Sequence, residues 1–283
     1  MPIRINNNPP IDLSRKFPDG TFAFRLEFED SDLSIFLGYK AVITWNYRDE
    51  SEFAALYYIT KCLRERNVEK VILVMPYIPN ARMDRIKSDN EIFTLKYFCG
   101  FINSLGFDKV VVFDPHSSTS LALLDRVTLI PPDEYIENAI RQIDDQDLML
   151  FYPDEGAMKR YSDQAACPYG FGIKQRRWKT GEITALEIHA GDISGKNILI
   201  VDDICSRGGT FYRSAKALRE AGAGRIYVFC SHCENTVFSG KLLEEPGLIE
   251  HVYTTDSIYT GSHEKITAFH FEYDDNLLIK QRP

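Results

Sequence analysis

Between residues 41 and 258 the chain repeats one pattern, a short aliphatic run followed by a longer amphipathic or polar stretch. The runs are AVITW (41–45), KVILVMP (70–76), KVVVFDP (109–115), LMLFYPDEG (148–156, strand then loop), KNILIVDD (196–203), RIYVFCSHC (225–233) and IEHVYTTDSI (249–258). Runs rich in Val, Ile and Leu that do not alternate with polar residues belong to strands buried on both faces. Such strands occur where helices cover both sides of a parallel sheet. The stretches between them fit that role. SEFAALYYITKCLRERN puts Phe53, Leu56, Thr60 and Leu63 on one helical face, and IFTLKYFCGFINSLG does the same with Ile92, Leu95, Cys99, Ile102 and Leu105. YIENAIRQI and MKRYSDQAA read as helices. GTFYRSAKALREAGAG reads as a helix facing inward through Phe211, Ala215 and Leu218 and stopped by Gly222 and Gly224. YGFGIKQRRW and ITALEIHA read as strands flanking the loop KTGE. The expected fold class is therefore α/β, with a mostly parallel sheet flanked by helices in each of two domains. Pro131 and Pro132 break the pattern and divide the chain into residues 1–132 and 133–283.

A chain of 283 residues with 44% hydrophobic and 26% charged residues has enough apolar material for two cores. A net charge of −8 argues against a basic nucleic-acid surface, so no nucleic-acid partner is expected. The apolar runs are too short to span a bilayer and the N-terminal MPIRINNNPP lacks a signal core, so no membrane partner and a cytoplasmic location are expected. The six cysteines are scattered, which suits reduced thiols. Cys230 and Cys233 form a CxxC around His232, but no second pair at zinc-finger spacing accompanies it. It reads as the end of a buried strand.

In an open parallel sheet, ligands bind at the carboxyl ends of strands. The residues there are PYIPNARMDR (76–85), DPHSS (114–118), PDEGAMKR (153–160), VDDICSRGGT (201–210) and SHCE (231–234). VDDICSRGGT carries the clearest chemistry. Asp202 and Asp203 end a buried run, where carboxylates are costly unless they are paired or bind hydroxyls or metal. Ser206, Arg207, Gly208, Gly209 and Thr210 then turn into a helix, and backbone amides at a helix N-terminus suit a phosphate. Acids beside such a cradle suit a sugar phosphate. A P-loop requires G-x-x-x-x-G-K-[ST], and GDISGKN (191–197) fails it in spacing and in having Asn197 after the lysine.

VDDICSRGGT resembles the phosphoribosyl-diphosphate loop of the type I phosphoribosyltransferase fold. PYIPNARMDR resembles a stretch found in ribose-phosphate pyrophosphokinases and absent from simple transferases. FPDGT (17–21), FDPH (113–116), PDEGAMKR and TDSI (255–258) resemble the same family, in the same order. The resemblance runs from about residue 15 onward. It implies two phosphoribosyltransferase-like domains, the first contributing to ATP and the second carrying the ribose-phosphate loop. It implies transfer of the β,γ-diphosphate of ATP to the anomeric hydroxyl of ribose 5-phosphate, with Mg²⁺ as cofactor, ATP as co-substrate and AMP as product. The residues it assigns to ATP are Phe17, Asp19, Arg82, Asp84, Arg85 and His116. His116 and Asp154 would contribute to magnesium binding, and Lys174 and Arg176 would be the catalytic cations of a closing loop. Asp202, Asp203 and Ser206 to Thr210 would hold the ribose phosphate. Phe17 and Asp19 resemble residues that reach a neighbouring subunit's adenine site, which implies a homo-oligomer. The rival readings are a phosphoribosyltransferase, in which the arginine stretch would be idle, and a non-catalytic regulatory homologue, which would not need Lys174, Arg176, His116 and Asp154.

The sequence departs from the family at several places. Thr21 stands where a glutamate is usual and Met83 where a glutamine is usual, both positions that concern adenine. A strand-helix unit is missing before FPDG. Ser206-Arg207 replaces Asp-Thr in the phosphate loop and makes it more cationic by about two charges. That change suits an acceptor with a second phosphate. ADP-ribose is such a molecule, and some phage homologues make ADP-ribose pyrophosphate for NAD⁺ synthesis. The sequence leaves ribose 5-phosphate and ADP-ribose open as acceptors.

Overall fold

The uninterrupted aliphatic runs form the inner strands of two sheets. A computed structural model describes residues 3–6, 8–26, 40–163, 167–176 and 183–273. The chain divides into two compact units, Met1–Ile130 together with Glu272–Pro283, and Pro131–Phe271.

In the first unit the sheet order is β1-β2-β3-β4-β5, comprising β1 (Ile3–Ile5), β2 (Lys40–Trp45), β3 (Lys70–Met75), β4 (Lys109–Phe113) and β5 (Val127–Ile130). β2 to β5 are parallel and β1 is antiparallel to β2. β3 buries every residue after Lys70, and β4 every residue after Lys109. β1 precedes FPDG, so a strand does stand ahead of that stretch. Helix α1 (Glu52–Glu65) buries Leu56, Ile59, Thr60 and Leu63. The buried Thr60 hydroxyl donates to the Leu56 carbonyl at 2.7 Å, so it carries no unpaired polar atom into the core. Helix α2 (Thr94–Ser104) buries Leu95, Phe98, Cys99 and Ile102. Ile92 was expected on that face but is 62% exposed. The helix begins only at Thr94, whose amide bonds the Ile92 carbonyl in a turn, so helical spacing does not extend back to Ile92. A short helix α3 (Thr119–Leu123) follows β4.

In the second unit the order is β12-β11-β10-β9-β6-β7-β8, comprising β6 (Met149–Tyr152), β7 (Tyr169–Arg176), β8 (Ile183–His189), β9 (Ile198–Cys205), β10 (Ile226–Cys233), β11 (His251–Thr255) and β12 (Ile266–Phe269). Only β7 and β8 pair antiparallel. β10 is buried at all eight positions, as an interior strand of a covered sheet must be. Helices α4 (Asp133–Ile143), α5 (Glu155–Tyr161) and α6 (Gly209–Glu220) complete the unit. α6 faces inward through Phe211, Ser214, Ala215 and Leu218. From β6 the chain moves to one side, through β7 and β8, and from β9 to the other, through β10 to β12. The direction therefore switches between β6 and β9, the place where open α/β sheets bind ligands.

The edge strands β5 and β12 have no counterpart in the sequence reading. VTLI and ITAF are only half buried, so neither carries a long apolar run.

Candidate functional site

In the first unit the polar residues gather after β3 and β4. Buried Ile78 and Ala81 anchor the loop that follows β3, and Arg82 and Arg85 stand exposed beside them. Asp84 is the hinge of this group. Its Oδ2 accepts from the Ser117 hydroxyl at 2.8 Å, and its Oδ1 pairs with Arg85 Nε at 3.3 Å. The post-β3 and post-β4 loops are thus joined by one carboxylate. His116 is exposed between buried Asp114 and buried Ser117. Asp114 has a φ of 35°, which non-glycine residues adopt rarely and which turns the chain sharply as it leaves β4.

FPDGT forms a tight turn of its own. The Phe17 amide bonds the Thr21 carbonyl and the Gly20 amide bonds the Phe17 carbonyl, both at 2.8 Å. Asp19 Oδ1 accepts from the Thr21 hydroxyl at 2.7 Å and the Thr21 amide at 3.0 Å. These bonds hold the Asp19 carboxyl below its ordinary range. The threonine that departs from the family pattern therefore closes the turn, and Phe17 is displayed 58% exposed.

In the second unit the acid-glycine stretch lies where the sheet switches direction. Asp203 is only 5% exposed. Its Oδ2 accepts from Arg160 Nη1 at 2.9 Å and its Oδ1 from the Ile204 amide at 2.7 Å. Asp202 Oδ1 accepts from the Asp203 amide at 3.0 Å. Arg160 also lies 5.6 Å from the Tyr161 ring centre and bonds its hydroxyl at 3.3 Å. The buried acid thus has a cationic partner, and that partner was not singled out from the sequence. The only signal was its position at the end of PDEGAMKR, after β6. Asp154 caps α5 by accepting from the Ala157 amide at 3.0 Å.

Ser206 and Arg207 lead to Gly208, which has a φ of 70° and precedes α6. A Cβ at Gly208 would also come within 2.8 Å of the Leu242 side chain, so glycine is required on two counts. The first helical bond runs from the Tyr212 amide to the Gly208 carbonyl at 2.8 Å. The amides of Gly209, Thr210 and Phe211 therefore have no partner within the helix and are available to an anion. Gly240 closes the loop from behind. A Cβ there would overlap the Arg207 carbonyl, so this glycine too is a site residue missed in the sequence. The Arg207 side chain is exposed.

Lys174 and Arg176 lie on β7, paired in register with Leu186 and Ile183 of β8. Their side chains and the loop KTGE lie outside the described residues.

Magnesium asks for oxygen ligands in octahedral array, usually one or two carboxylates plus phosphate oxygens and water. Asp202, Asp203 and Asp154 supply carboxylates near the switch point. Asp203 is already committed to Arg160 and Asp154 to its helix cap. This donor set fits an ion carried in by a nucleotide better than a dedicated protein cage. Among the described residues, the one close group of three metal-type donors is sulfur: Cys205, Cys230 and Cys233.

The chain matches known proteins over most of its length. A family model described as a phosphoribosyl synthetase-associated domain matches residues 180–268. The chain is 26% identical to the ribose-phosphate pyrophosphokinase of Saccharolobus solfataricus, over 89% of this chain and 86% of that protein. It is 30% identical to the ribose-phosphate pyrophosphokinase of Thermococcus kodakarensis, over 77% of this chain and 76% of that protein. Its fold matches the phosphoribosylpyrophosphate synthetase of Mycobacterium smegmatis with a TM-score of 0.74, covering 90% and 84% of the two chains at 21% identity. Two mostly parallel sheets, an acid-glycine loop at the switch point of the second, and these relatives lead to one conclusion: the chain belongs to the ribose-phosphate pyrophosphokinase family of enzymes.

Proposed function

We propose that this enzyme moves the β,γ-diphosphate of ATP to the anomeric hydroxyl of a ribose 5-phosphate group and releases AMP. The observation that carries the proposal is the pairing of Asp202 and Asp203 with the open amides of Gly209 and Thr210 on one continuous strand-loop-helix. The carboxylates suit adjacent ribose hydroxyls and the amides suit the 5-phosphate. The anomeric oxygen attacks the β-phosphorus, the bond from that phosphorus to the α-phosphate oxygen breaks, and the hydroxyl proton passes to solvent. Positioning and charge neutralisation dominate such a reaction. Arg82 and Arg85 would bind the triphosphate, with Asp84 fixing Arg85. Lys174 and Arg176 would stabilise the diphosphate in flight. Magnesium would neutralise phosphate charge when bound with the nucleotide, with His116 and Asp154 the groups assigned to it. Phe17, exposed at the base of its turn, and Asp19 would serve adenine in a homo-oligomer. The same proposal assigns an ATP-contributing domain to residues 1–132 and a ribose-phosphate domain to 133–283. No helix among the described residues is long and apolar enough to cross a membrane.

The names of the relatives favour ribose 5-phosphate as acceptor. One observation favours ADP-ribose as a second reading: Arg207 adds an exposed cation beside the phosphate cradle. An AMP-release assay with Mg²⁺–ATP, offering each acceptor separately, decides both questions. AMP with neither acceptor refutes diphosphate transfer. Equal loss of activity on both acceptors in Arg207→Ala refutes a role for Arg207 in meeting a distal phosphate.

A further inference from the structure

Three thiols converge in the core directly beneath the phosphate loop. Cys205, Cys230 and Cys233 are each at most 1% exposed, and their sulfurs lie within 4.8 Å of one another. The arrangement comes from strand register. Cys205 ends β9 and pairs directly with Cys233 on the parallel strand β10. β10 carries a bulge against β11 between Cys230 and His232. Cys230 and Cys233 both face the core that contains Cys205 and Phe211. His232 is engaged elsewhere, its Nδ1 2.9 Å from the Ser257 hydroxyl. The CxxC thus gains a third sulfur from a residue 25 positions before its first cysteine (230 − 205).

We infer that Cys205, Cys230 and Cys233 form a binding site for one soft, thiophilic d¹⁰ metal ion, of the cuprous or zinc class. Thiolate sulfur selects such ions over magnesium or calcium. Three sulfurs at a metal–sulfur distance of about 2.3 Å lie about 4 Å apart in a trigonal array, so the cluster needs only a small contraction to close on an ion. Coordination replaces S–H bonds with metal–sulfur bonds and sends the protons to solvent. A divalent ion that displaces two protons leaves a neutral site, which suits a dry core. The ion would clamp the carboxyl ends of β9 and β10, one residue before Ser206. That clamp adds to the bond from the Glu234 amide to the Cys205 carbonyl at 2.8 Å. The site stands on its own geometry, independent of which substrate the loop above it takes.

The test uses the reduced full chain without substrate, so failure of diphosphate transfer leaves its result untouched. Cu(I), held by a coloured cuprous chelator under anaerobic conditions, is offered in one arm and Zn(II) in the other. Retained metal is measured after gel filtration, and thiolate-to-copper charge-transfer absorption is followed in the cuprous arm. The expected result is one ion per chain in at least one arm, lost in Cys205→Ser and in Cys230→Ser and kept in the Cys62→Ser/Cys167→Ser variant. No retention of either ion by the wild-type chain overturns the inference. Undiminished retention by Cys205→Ser overturns it as well, because the CxxC alone would then suffice. If the serine variants do not fold, alkylation of the wild-type chain in moderate urea decides the matter. The ion should protect Cys205, Cys230 and Cys233 and leave the equally buried Cys99 unprotected, and equal protection of Cys99 overturns the site.

Discussion

Replacing Arg160 with methionine tests the electrostatic core of the proposed ribose-phosphate site. In the wild type Asp203 is 5% exposed and its carboxylate accepts from Arg160 Nη1 at 2.9 Å. Methionine keeps much of the aliphatic stem and removes the charge that Arg160 brings to the buried Asp203 carboxylate, while the Ile204 amide bond at 2.7 Å stays. Breaking a fully buried ion pair from one side costs about 3–5 kcal/mol. The Arg160 side chain is 31% exposed, so solvent screens part of the pair and the expected loss is about 1–3 kcal/mol. Urea denaturation of wild type, Arg160→Met, Asp203→Asn and the double variant measures the coupling. Arg160→Met should be the most destabilising in the wild-type background and cost much less in the Asp203→Asn background, where no buried charge is stranded. The same variant should raise KM for the acceptor, because Asp203 loses the Arg160 bond that helps to orient its carboxylate. A coupling free energy near zero would show that Arg160 contributes by packing alone and would refute the argument.

Three further outcomes follow from other parts of the structure. Gly240→Ala pushes a Cβ into the Arg207 carbonyl, so it should raise KM for the acceptor with little change in KM for ATP, and steady-state kinetics varying each substrate in turn would check this. Lys174→Ala should lower kcat by about 100-fold or more while leaving ATP affinity near that of wild type, the pattern of a group that acts on the transferring charge; single-turnover AMP release and nucleotide titration separate the two. Burial holds the His251 imidazole below its ordinary value of 6.5. The unfolded chain therefore binds the proton more readily, so this stability contribution is complete above about pH 6.5 and is lost as pH falls toward the lower folded value. Thermal melts between pH 5 and 8, compared with His251→Gln, should show an acid arm that is shallower in the variant.

The inner strands were legible because their environment leaves a local mark. VILVM and IYVFC are apolar at consecutive positions because both faces are covered, and no other soluble context tolerates such runs so often. Edge strands β5 and β12 leave no such mark, since a half-exposed strand of four residues has too few buried positions to show a period. At the site, Asp202, Asp203 and the glycine turn were legible as a strand-loop-helix unit contiguous in sequence. The role of Asp154 was only partly so, because its bond to the Ala157 amide makes it a helix cap whatever else it binds. Thr21 was legible as a departure from the family pattern, but not as the residue that closes the turn on Asp19.

By itself, then, the sequence determined the elements and their order: hydrophobic period specifies strand and helix, and the small and acidic residues after each strand mark where a ligand can approach. Tertiary structure decided which distant residues complete those local units. Arg160 reaches Asp203 across 43 positions, Gly240 backs Arg207, and Cys205 joins Cys230 and Cys233. The register of β9 against β10 sets Cys205 beside Cys233, and Arg160 and Gly240 lie on segments that follow β6 and β10, the two strands that pair with β9, a pairing of backbones whose partners lie outside the reach of any local period.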